Sequence, residues 1–187
     1  VNGSINLNGE ATQTITGQGQ LISGTASTLI INNPIEAILD NNVTLNGSLN
    51  ILAGNLIVNP GKQLTVNGSL SNNATLTLKS DDLNGTATIL TPELITNGVN
   101  ATYKVEQFLS VARQWWYLSS PVAGATSTSV FGTNKVGEFN EVSQAYSSPF
   151  ALPTSLLDGK GYVVKLTDTA DKIYSYEGTL NNGDYTL

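Results

Sequence analysis

Three groups of side chains in this 187-residue chain are of the types that binding or catalysis requires. Trp115-Trp116-Tyr117 is the densest aromatic cluster, and exposed rings on a β surface stack on the flat faces of sugars. Asp81-Asp82 lies close to Asn84, and Asp168 lies close to Asp171, so carboxylate and amide oxygens are near each other in sequence. Oxygen ligands of this kind bind calcium. The two candidate chemistries are therefore sugar recognition and calcium binding.

The composition argues against most catalytic chemistry. The chain has no His and no Cys, so it lacks an imidazole general base, a thiolate nucleophile and a cysteine zinc site. Residues 1–100 contain no Arg, and their six acidic residues are scattered, whereas polysaccharide lyases and hydrolases cluster such groups. We therefore predict a non-enzymatic protein with no catalytic residue, no cofactor and no bound metal.

Local sequence also bears on the two candidate chemistries. The spacing around Asp81-Asp82 matches no calcium-loop pattern, so a solvated turn is the favoured interpretation, and the same holds for the second acidic group. Successive side chains of a strand point to opposite faces, so Trp115 and Tyr117 share a face and Trp116 points the other way. One face is expected to anchor the core. Trp115 and Tyr117 are the two residues predicted to contact a ligand or partner.

The distribution of aromatic residues divides the chain. All four Phe, two Trp and seven Tyr lie at or after Tyr103. A globular core usually includes aromatic rings because each ring buries a large apolar area. A hundred folded residues without a ring indicate a core of thin, repetitive layers. We therefore predict two modules, residues 1–100 and residues 101–187.

A seven-residue pattern is repeated within the first module. Val43-Thr44-Leu45-Asn46-Gly47-Ser48-Leu49 recurs as Leu64-Thr65-Val66-Asn67-Gly68-Ser69-Leu70, at an offset of 21 residues. Alternating apolar and polar residues are typical of a short strand with one buried face. Asn-Gly is expected to supply a positive φ at low cost and so to turn the chain after each strand.

Three short strands per repeat, each followed by a corner, are typical of one coil of a parallel β-solenoid, or β-helix. Equivalent residues of successive coils then stack at the ordinary spacing of strands. The expected stacking pairs are Val43 with Leu64, Leu45 with Val66, Leu49 with Leu70, and Asn46 with Asn67 as an amide ladder. We expect four to five coils. The alternative is an ordinary β-sandwich with Asn-Gly hairpins, which does not require the long repeat.

The second module favours antiparallel β structure. Its candidate strands are 101–109, 114–119, 159–166 and 173–178, and a turn at 181–184 follows the last of them. The stretch 122–157 is rich in Ser, Gly and Pro and predicts a long loop with short strands, and no helix is predicted. The expected fold is all-β, with a short parallel β-solenoid (β-helix) followed by an antiparallel β-sandwich-like module.

Five segments follow one another in a characteristic order: LTLKSDDLNGTA at 76–87, ATYKVEQF at 101–108, ARQWWYLSSPV at 112–122, LDGKGYV at 157–163 and YEGTLNNGDYT at 176–186. This ordered set resembles a family of large secreted and surface proteins of the Bacteroidetes. Two positions depart from the family pattern: Gln107-Phe108 replaces the usual Arg-Tyr, and Gln114 stands where a second Arg is common.

The resemblance implies an adhesin-like multidomain protein that is exported by the type IX secretion route to the extracellular space or the cell surface. It also implies that residues 101–187 are incomplete at their C-terminal end, because the sandwich-like region of the family continues further. The expected partners are other surface or matrix components, glycans, or further copies of the chain joined by strand addition into a filament. The net charge of −6 disfavours nucleic acid, and no apolar run of about 20 residues predicts membrane insertion.

The functional prediction follows from the repeat and the resemblance together. We expect a non-enzymatic structural or adhesive module of a large secreted or cell-surface bacterial protein, with fibre formation as part of the hypothesis. The alternative is a carbohydrate-binding module that uses aromatic residues of the second domain.

Overall fold

The structure, a computed structural model, describes residues 3–17, 20–22, 24–92, 95–140, 142–147 and 154–181. Short strands follow one another in successive coils from the start of the chain. The first coil contains β1 (Ser4–Leu7), β2 (Gln13–Ile15) and β3 (Gln20–Ile22), and the second contains β4 (Thr28–Asn32), β5 (Ala37–Leu39) and β6 (Val43–Leu45). The third contains β7 (Ser48–Ala53), β8 (Asn55–Val58) and β9 (Gln63–Val66). The fourth contains β10 (Leu70–Asn72), β11 (Thr75–Leu78), a hairpin of β12 (Ser80–Asp81) and β13 (Gly85–Thr86), and β14 (Thr88–Leu90). A fifth begins with β15 (Ile95–Asn97) and β16 (Thr102–Leu109).

The coils stack as three parallel sheets. The first sheet has the order β1-β4-β7-β10-β15, the second includes β2-β5-β8-β11-β16, and the third has the order β3-β6-β9-β14. The fold of this region is therefore a β-solenoid of about four turns, which confirms the predicted solenoid.

The stacking pairs expected from the repeat are confirmed. The observed pairs are Val43 with Leu64, Leu45 with Val66, and Leu49 with Leu70. The amide ladder is present as well, since Asn67 Nδ2 donates to Asn46 Oδ1 at 2.9 Å. Ser69 Oγ donates to Ser48 Oγ at 2.9 Å next to it. The 21-residue repeat therefore places like side chains on top of one another.

The glycines of the repeated Asn-Gly corners serve a different purpose from the one expected. Neither Gly47 nor Gly68 has a positive φ. A Cβ at Gly47 would lie 1.8 Å from the backbone oxygen of Ser27 in the coil before it, and a Cβ at Gly68 would lie 2.7 Å from the backbone of Gly47. Glycine is required because the corners of neighbouring coils approach too closely for any side chain. The expectation of a positive φ was wrong.

The interior of the solenoid is made of aliphatic side chains in columns. Leu29, Leu49 and Leu70 follow one another in the first sheet and are fully buried. Because adjacent coils are separated by only one strand spacing, each coil contributes one thin layer of aliphatic side chains to the core. This geometry accounts for the lack of aromatic residues in residues 1–100.

Two buried asparagines connect coils at the corner between the first and second sheets. Asn33 Nδ2 donates to the backbone oxygen of Ala11 at 2.7 Å, and Asn33 Oδ1 accepts from the backbone N–H of Ile35 at 2.9 Å. Asn72 Oδ1 accepts from the backbone N–H of Ala74 at 3.0 Å in the same way. Both side chains are fully buried, so their hydrogen bonds satisfy polar groups that would otherwise cost free energy.

The rest of the chain forms short antiparallel pairs. Its elements are β17 (Trp115–Ser119), β18 (Val122–Ala123), α1 (Ser127–Phe131), β19 (Lys135–Gly137), β20 (Phe139–Asn140), β21 (Ala145–Tyr146), β22 (Gly161–Lys165) and β23 (Lys172–Leu180). One antiparallel sheet has the order β17-β22-β19, and β20 pairs with β21 as a hairpin. The antiparallel strands are as predicted, but this arrangement does not confirm a β-sandwich.

Strand β16 belongs both to the parallel solenoid and to the antiparallel region that follows it. It pairs in parallel with β11 of the solenoid, so that Tyr103 stacks on Leu76, and it pairs antiparallel with β23 from Tyr103 to Leu109. Tyr103 is buried, and its hydroxyl donates to Asn97 Oδ1 at 2.6 Å. The first aromatic residue of the chain therefore lies where the aliphatic stack ends and an antiparallel strand continues the sheet.

A short helix, α1, lies in the stretch for which the sequence predicted only loop and strands. A capping box forms its start, because the Thr126 side chain accepts from the backbone N–H of Ser129 and the Ser129 side chain accepts from that of Thr126. Its buried Phe131 contacts the rings of Tyr174 and Tyr176, at centroid distances of 5.6 and 5.8 Å. The prediction of no helix was wrong because five residues are too few for a periodic pattern. The predicted turn after Asn181 lies outside the described residues.

Candidate functional site

The antiparallel sheet β17-β22-β19 presents an outward face with aromatic and basic side chains. One row across the sheet is Trp115, Lys165 and Lys135, and the next row on the same face is Tyr117, Val163 and Gly137. Trp115 is 50% exposed and Tyr117 is 65% exposed. The structure therefore places Trp115 and Tyr117 on one exposed face, as the alternation of the strand predicts.

The opposite face of the same sheet packs inward. Trp116 is half-buried against the core, and Val164 and Val136 beside it are buried. The Trp116 indole N–H donates to the backbone oxygen of Ser110 at 3.3 Å, and the guanidinium of Arg113 lies 4.9 Å from the centre of the ring. Trp116 is therefore the anchor of β17, which leaves the outer face of the strand free of that role.

The hairpin β20–β21 adds two more rings beside Tyr117. Phe139 and Tyr146 are exposed and meet edge to face, with centroids 5.2 Å apart. The hydroxyls of Tyr146 and Tyr117 form a hydrogen bond of 3.1 Å, which raises the pKa of Tyr146 above its ordinary value. A hydrogen bond of 3.0 Å from the Glu138 N–H to Ser147 Oγ closes the base of the hairpin. Four exposed rings are thus held on one surface, which we call the aromatic face (Trp115, Tyr117, Phe139, Tyr146).

Described residues line two grooves beside the aromatic face. The larger has a volume of about 600 Å³ and is lined by Tyr117, Phe139, Tyr146 and Lys160, among other residues. The smaller has a volume of about 160 Å³ and is lined by Trp115, Lys135, Tyr146, Lys165 and their neighbours. Tyr146 lines both grooves, so the hairpin forms the wall between them.

Two lysines at the aromatic face already have partners. Lys160 forms an ion pair with Glu138 at 2.5 Å, and the hydrogen bond to this carboxylate raises the pKa of Lys160. The ammonium of Lys165 lies 5.2 Å from the centre of the Trp115 ring, a cation–π contact. The site therefore combines flat apolar rings with positive charge.

The first acidic candidate, Asp81, has a local role in the hairpin β12–β13. Its carboxylate accepts the backbone N–H groups of Leu83 and Asn84, at 3.1 and 2.6 Å, and the side-chain amide of Asn84. These hydrogen bonds, that from the backbone of Asn84 above all, lower the pKa of Asp81. The acidic side chain closes a turn, as the favoured interpretation of the sequence expects.

The two carboxylates of the second acidic group have different hydrogen-bond partners. Asp168 accepts from the hydroxyl of Tyr174 and from Asn134 Nδ2, whereas Asp171 accepts from the backbone N–H of Val111 at 2.7 Å. Burial and the Asp168 carboxylate raise the pKa of Tyr174. Among the described residues, no three side chains of Asp, Glu, His or Cys are grouped so that they could hold a metal ion. Both carboxylates stabilise loops through these hydrogen bonds.

The network of Asp168 predicts a pH dependence of stability. The hydrogen bonds from Tyr174 and Asn134 lower the pKa of Asp168 in the folded state. Its contribution to the free energy of unfolding is therefore complete above the ordinary carboxylate pKa of about 4 and is lost as the pH falls through the lower, folded value. We expect Asp168→Asn to destabilise the protein at pH 7 and the difference from the parent to shrink in acid.

Urea unfolding at pH 7 and at about pH 3 measures this difference. Asp82→Asn, at an exposed turn position, serves as the control for loss of one acidic charge. A difference between Asp168→Asn and the parent that is the same at both pH values contradicts the prediction.

Sequence reasoning identified half of the aromatic face. It singled out Trp115 and Tyr117, but not Phe139 or Tyr146, because these lie in a stretch predicted as a long loop with short strands whose positions and pairing the sequence does not show. The two lysines of the smaller groove, Lys135 and Lys165, were missed for a similar reason. They come from different strands, and only the pairing of β19 with β22 makes them neighbours.

Across the described residues, the structure contains no helix that is both long enough and apolar enough to cross a bilayer. No protein-family model, no curated protein and no solved structure matches this chain.

Proposed function

We propose that this chain is a non-enzymatic structural and adhesive module of a larger secreted or cell-surface bacterial protein. The observation that supports this proposal most strongly is the single sheet that runs from β2 through the solenoid to β16, β23 and β18. A load applied at one end of such a sheet is carried by ladders of backbone hydrogen bonds in every coil. In this proposal the solenoid is a stiff spacer, and residues 101–187 form a sandwich-like cover that carries the adhesive contact with other surface or matrix components.

The spacer role is tested by measuring distances between two labelled positions. The chain has no Cys, so cysteines introduced at exposed positions take spin labels selectively. Ile35 on the solenoid is 54% exposed and Ile173 on β23 is 46% exposed. For the double variant Ile35→Cys, Ile173→Cys we expect one narrow distance distribution in a pulsed electron resonance measurement, since both residues belong to one continuous stack.

The variant Ile35→Cys, Leu83→Cys, with both labels on the solenoid, gives the reference width for a rigid pair. A distribution for the first pair that is much broader than this reference, or that has two peaks, contradicts the spacer role.

Self-association by strand addition belongs to the same proposal. In the described part of the chain, β15 and β14 are the outermost strands of the first and third sheets at one end of the stack, and β1 and β3 are the outermost strands at the other end. Outermost strands present backbone groups that accept a further strand, which is how sheets extend into filaments. We expect a molecular mass that rises with concentration in light scattering, and a strict monomer at high concentration contradicts this part of the proposal.

A second candidate function is carbohydrate binding, and the aromatic face is the observation that favours it. Four exposed rings beside a groove of about 600 Å³ supply flat apolar surfaces that complement the faces of sugar rings. In a glycan array we expect binding that is lost on Trp115→Ala and kept in Leu83→Ala, which removes an exposed apolar side chain elsewhere. The lack of binding to any plant, algal or host glycan contradicts this candidate.

A further inference from the structure

Two lysines face each other across the antiparallel strands β19 and β22. Lys135 and Lys165 are directly opposed in the register, and Trp115 lies directly opposite Lys165 on the other side. Side chains directly opposite each other in neighbouring strands are close, and like charges in such a pair repel. The row Trp115-Lys165-Lys135, which we call the lysine row, therefore contains one pair, Lys165 with Lys135, that folding alone does not favour.

The charge balance of the chain makes this pair more unusual. The protein has 14 acidic and only 8 basic residues, so carboxylates are available to neutralise most lysines. Lys104 pairs with Glu177, and Lys160 pairs with Glu138. Neither Lys135 nor Lys165 forms an ion pair with any residue that the structure describes. Within the part of the chain that the structure describes, two positive charges thus lie side by side without a carboxylate partner, and the contact of Lys165 with the Trp115 ring does not neutralise its charge.

The smaller groove brings these charges together with the rings. Its lining includes both lysines, Trp115 and Tyr146, and no Asp or Glu is among the described residues that line it. Two ammonium groups from adjacent strands are well placed to bind one anionic group between them, because each donates charge-assisted hydrogen bonds. The ring of Trp115 lies alongside, where the flat face of a ring attached to that anion would lie.

We propose that the lysine row and the aromatic face together bind an acidic polysaccharide. Trp115, Tyr117 and Tyr146 contact the faces of successive sugar rings, and Lys135 and Lys165 bind a carboxylate or sulfate that one of these rings carries. This proposal rests on the carbohydrate-binding candidate and specifies the charge of its ligand. Nucleic acid also combines flat rings with negative charge, and tight binding of single-stranded DNA is the outcome of the test that would favour it instead.

The test compares polysaccharides of different charge with the full chain. Isothermal titration uses polygalacturonate, which carries carboxylates, a sulfated galactan, which carries sulfate esters, and xylan, which is neutral. We expect at least one anionic polymer to bind about tenfold more tightly than xylan, with an affinity that falls as salt is added. The tighter of the two anionic polymers identifies the anion. Single-stranded DNA is the competing anionic polymer.

The variants separate the role of charge from that of the rings. The double variant Lys135→Gln, Lys165→Gln is expected to lose about tenfold in affinity for the anionic polymer and none for xylan. Lys104→Gln removes one positive charge from another surface and is expected to change neither affinity. Trp115→Ala is expected to weaken both. Circular dichroism confirms that each variant is folded before its affinity is measured.

Several outcomes overturn the proposal. It fails if the double lysine variant binds the anionic polymer as the parent does, if Lys104→Gln weakens binding equally, or if single-stranded DNA binds as tightly as the polysaccharide. Binding of xylan that Trp115→Ala abolishes and that the lysine variants leave unchanged keeps the carbohydrate function and removes the preference for anions. If none of the three polysaccharides binds, the carbohydrate function and the preference for anions are both contradicted.

Discussion

Replacing Gly54 with alanine is expected to lower the free energy of unfolding by about 3 kcal/mol or more. Gly54 has a φ of +71° at the corner between β7 and β8, in the left-handed region that an alanine enters only with strain. A Cβ at this position would also lie 1.9 Å from the backbone oxygen of Asn33 in the coil before it. The backbone of the stack would have to move, and the buried hydrogen bonds of Asn33 would be disturbed with it.

Alanine variants of two other glycines distinguish the cost of backbone strain from the cost of a steric clash. Gly85 has a φ of +77° but no atom within 4 Å of its ideal Cβ, so Gly85→Ala is expected to cost only about 1 kcal/mol. Gly161 has neither a positive φ nor a close neighbour, and Gly161→Ala is expected to change stability by less than about 0.5 kcal/mol. Urea unfolding of the three variants gives the ranking. Equal effects at Gly54 and Gly85 would show that the coils tolerate a side chain at this corner.

The second large effect is expected from Tyr176→Ala, with a loss of about 4 kcal/mol in the free energy of unfolding. Tyr176 is fully buried on β23, opposite Val105 of β16, and its ring meets that of Phe131 edge to face. Its removal leaves a cavity where α1, β16 and β23 pack together. Because β16 also pairs with β11, we expect the backbone amides of β11 to exchange hydrogen faster in this variant.

Two further variants show which part of the Tyr176 side chain accounts for the loss of stability. Tyr176→Phe keeps the ring and removes only the hydrogen bond of 3.3 Å to Gln107, so we expect a loss of about 1 kcal/mol or less. Tyr146→Ala removes the same side chain from an exposed position and is expected to be nearly neutral for stability. Hydrogen exchange in β11 that stays as slow as in the parent would contradict the view that the two regions share a cooperative sheet.

The solenoid could be predicted from the sequence because its contacts join residues at a short and nearly constant separation along the chain. The pairing of Val43 with Leu64 needed only two matching segments and the alternation of strand side chains. The reason for Gly47 was not accessible in this way. An Asn-Gly pair commonly indicates a positive φ, and only the position of Ser27 in the neighbouring coil shows that the glycine is needed for space.

The second region was predicted less completely. Its long strands were identified close to their observed bounds, but their partners were not. Tyr103 pairs with Gly178 across most of the region, and no local pattern encodes a contact between segments so far apart. Short strands were predicted within 122–157 but their positions were not, and the five residues of α1 were missed, because each element is too short to show a period.

The sequence by itself determined the stacking register of the repeat, the aliphatic core of the first hundred residues, and the shared face of Trp115 and Tyr117. These features depend on the two-residue period of a strand and on a repeat of fixed length, which are local properties of the chain. Only the tertiary structure decided that β16 joins the solenoid to the antiparallel strands, that Phe139 and Tyr146 complete the aromatic face, and that Lys135 lies opposite Lys165. These features depend on contacts between distant segments, which form where the whole chain buries the most apolar surface.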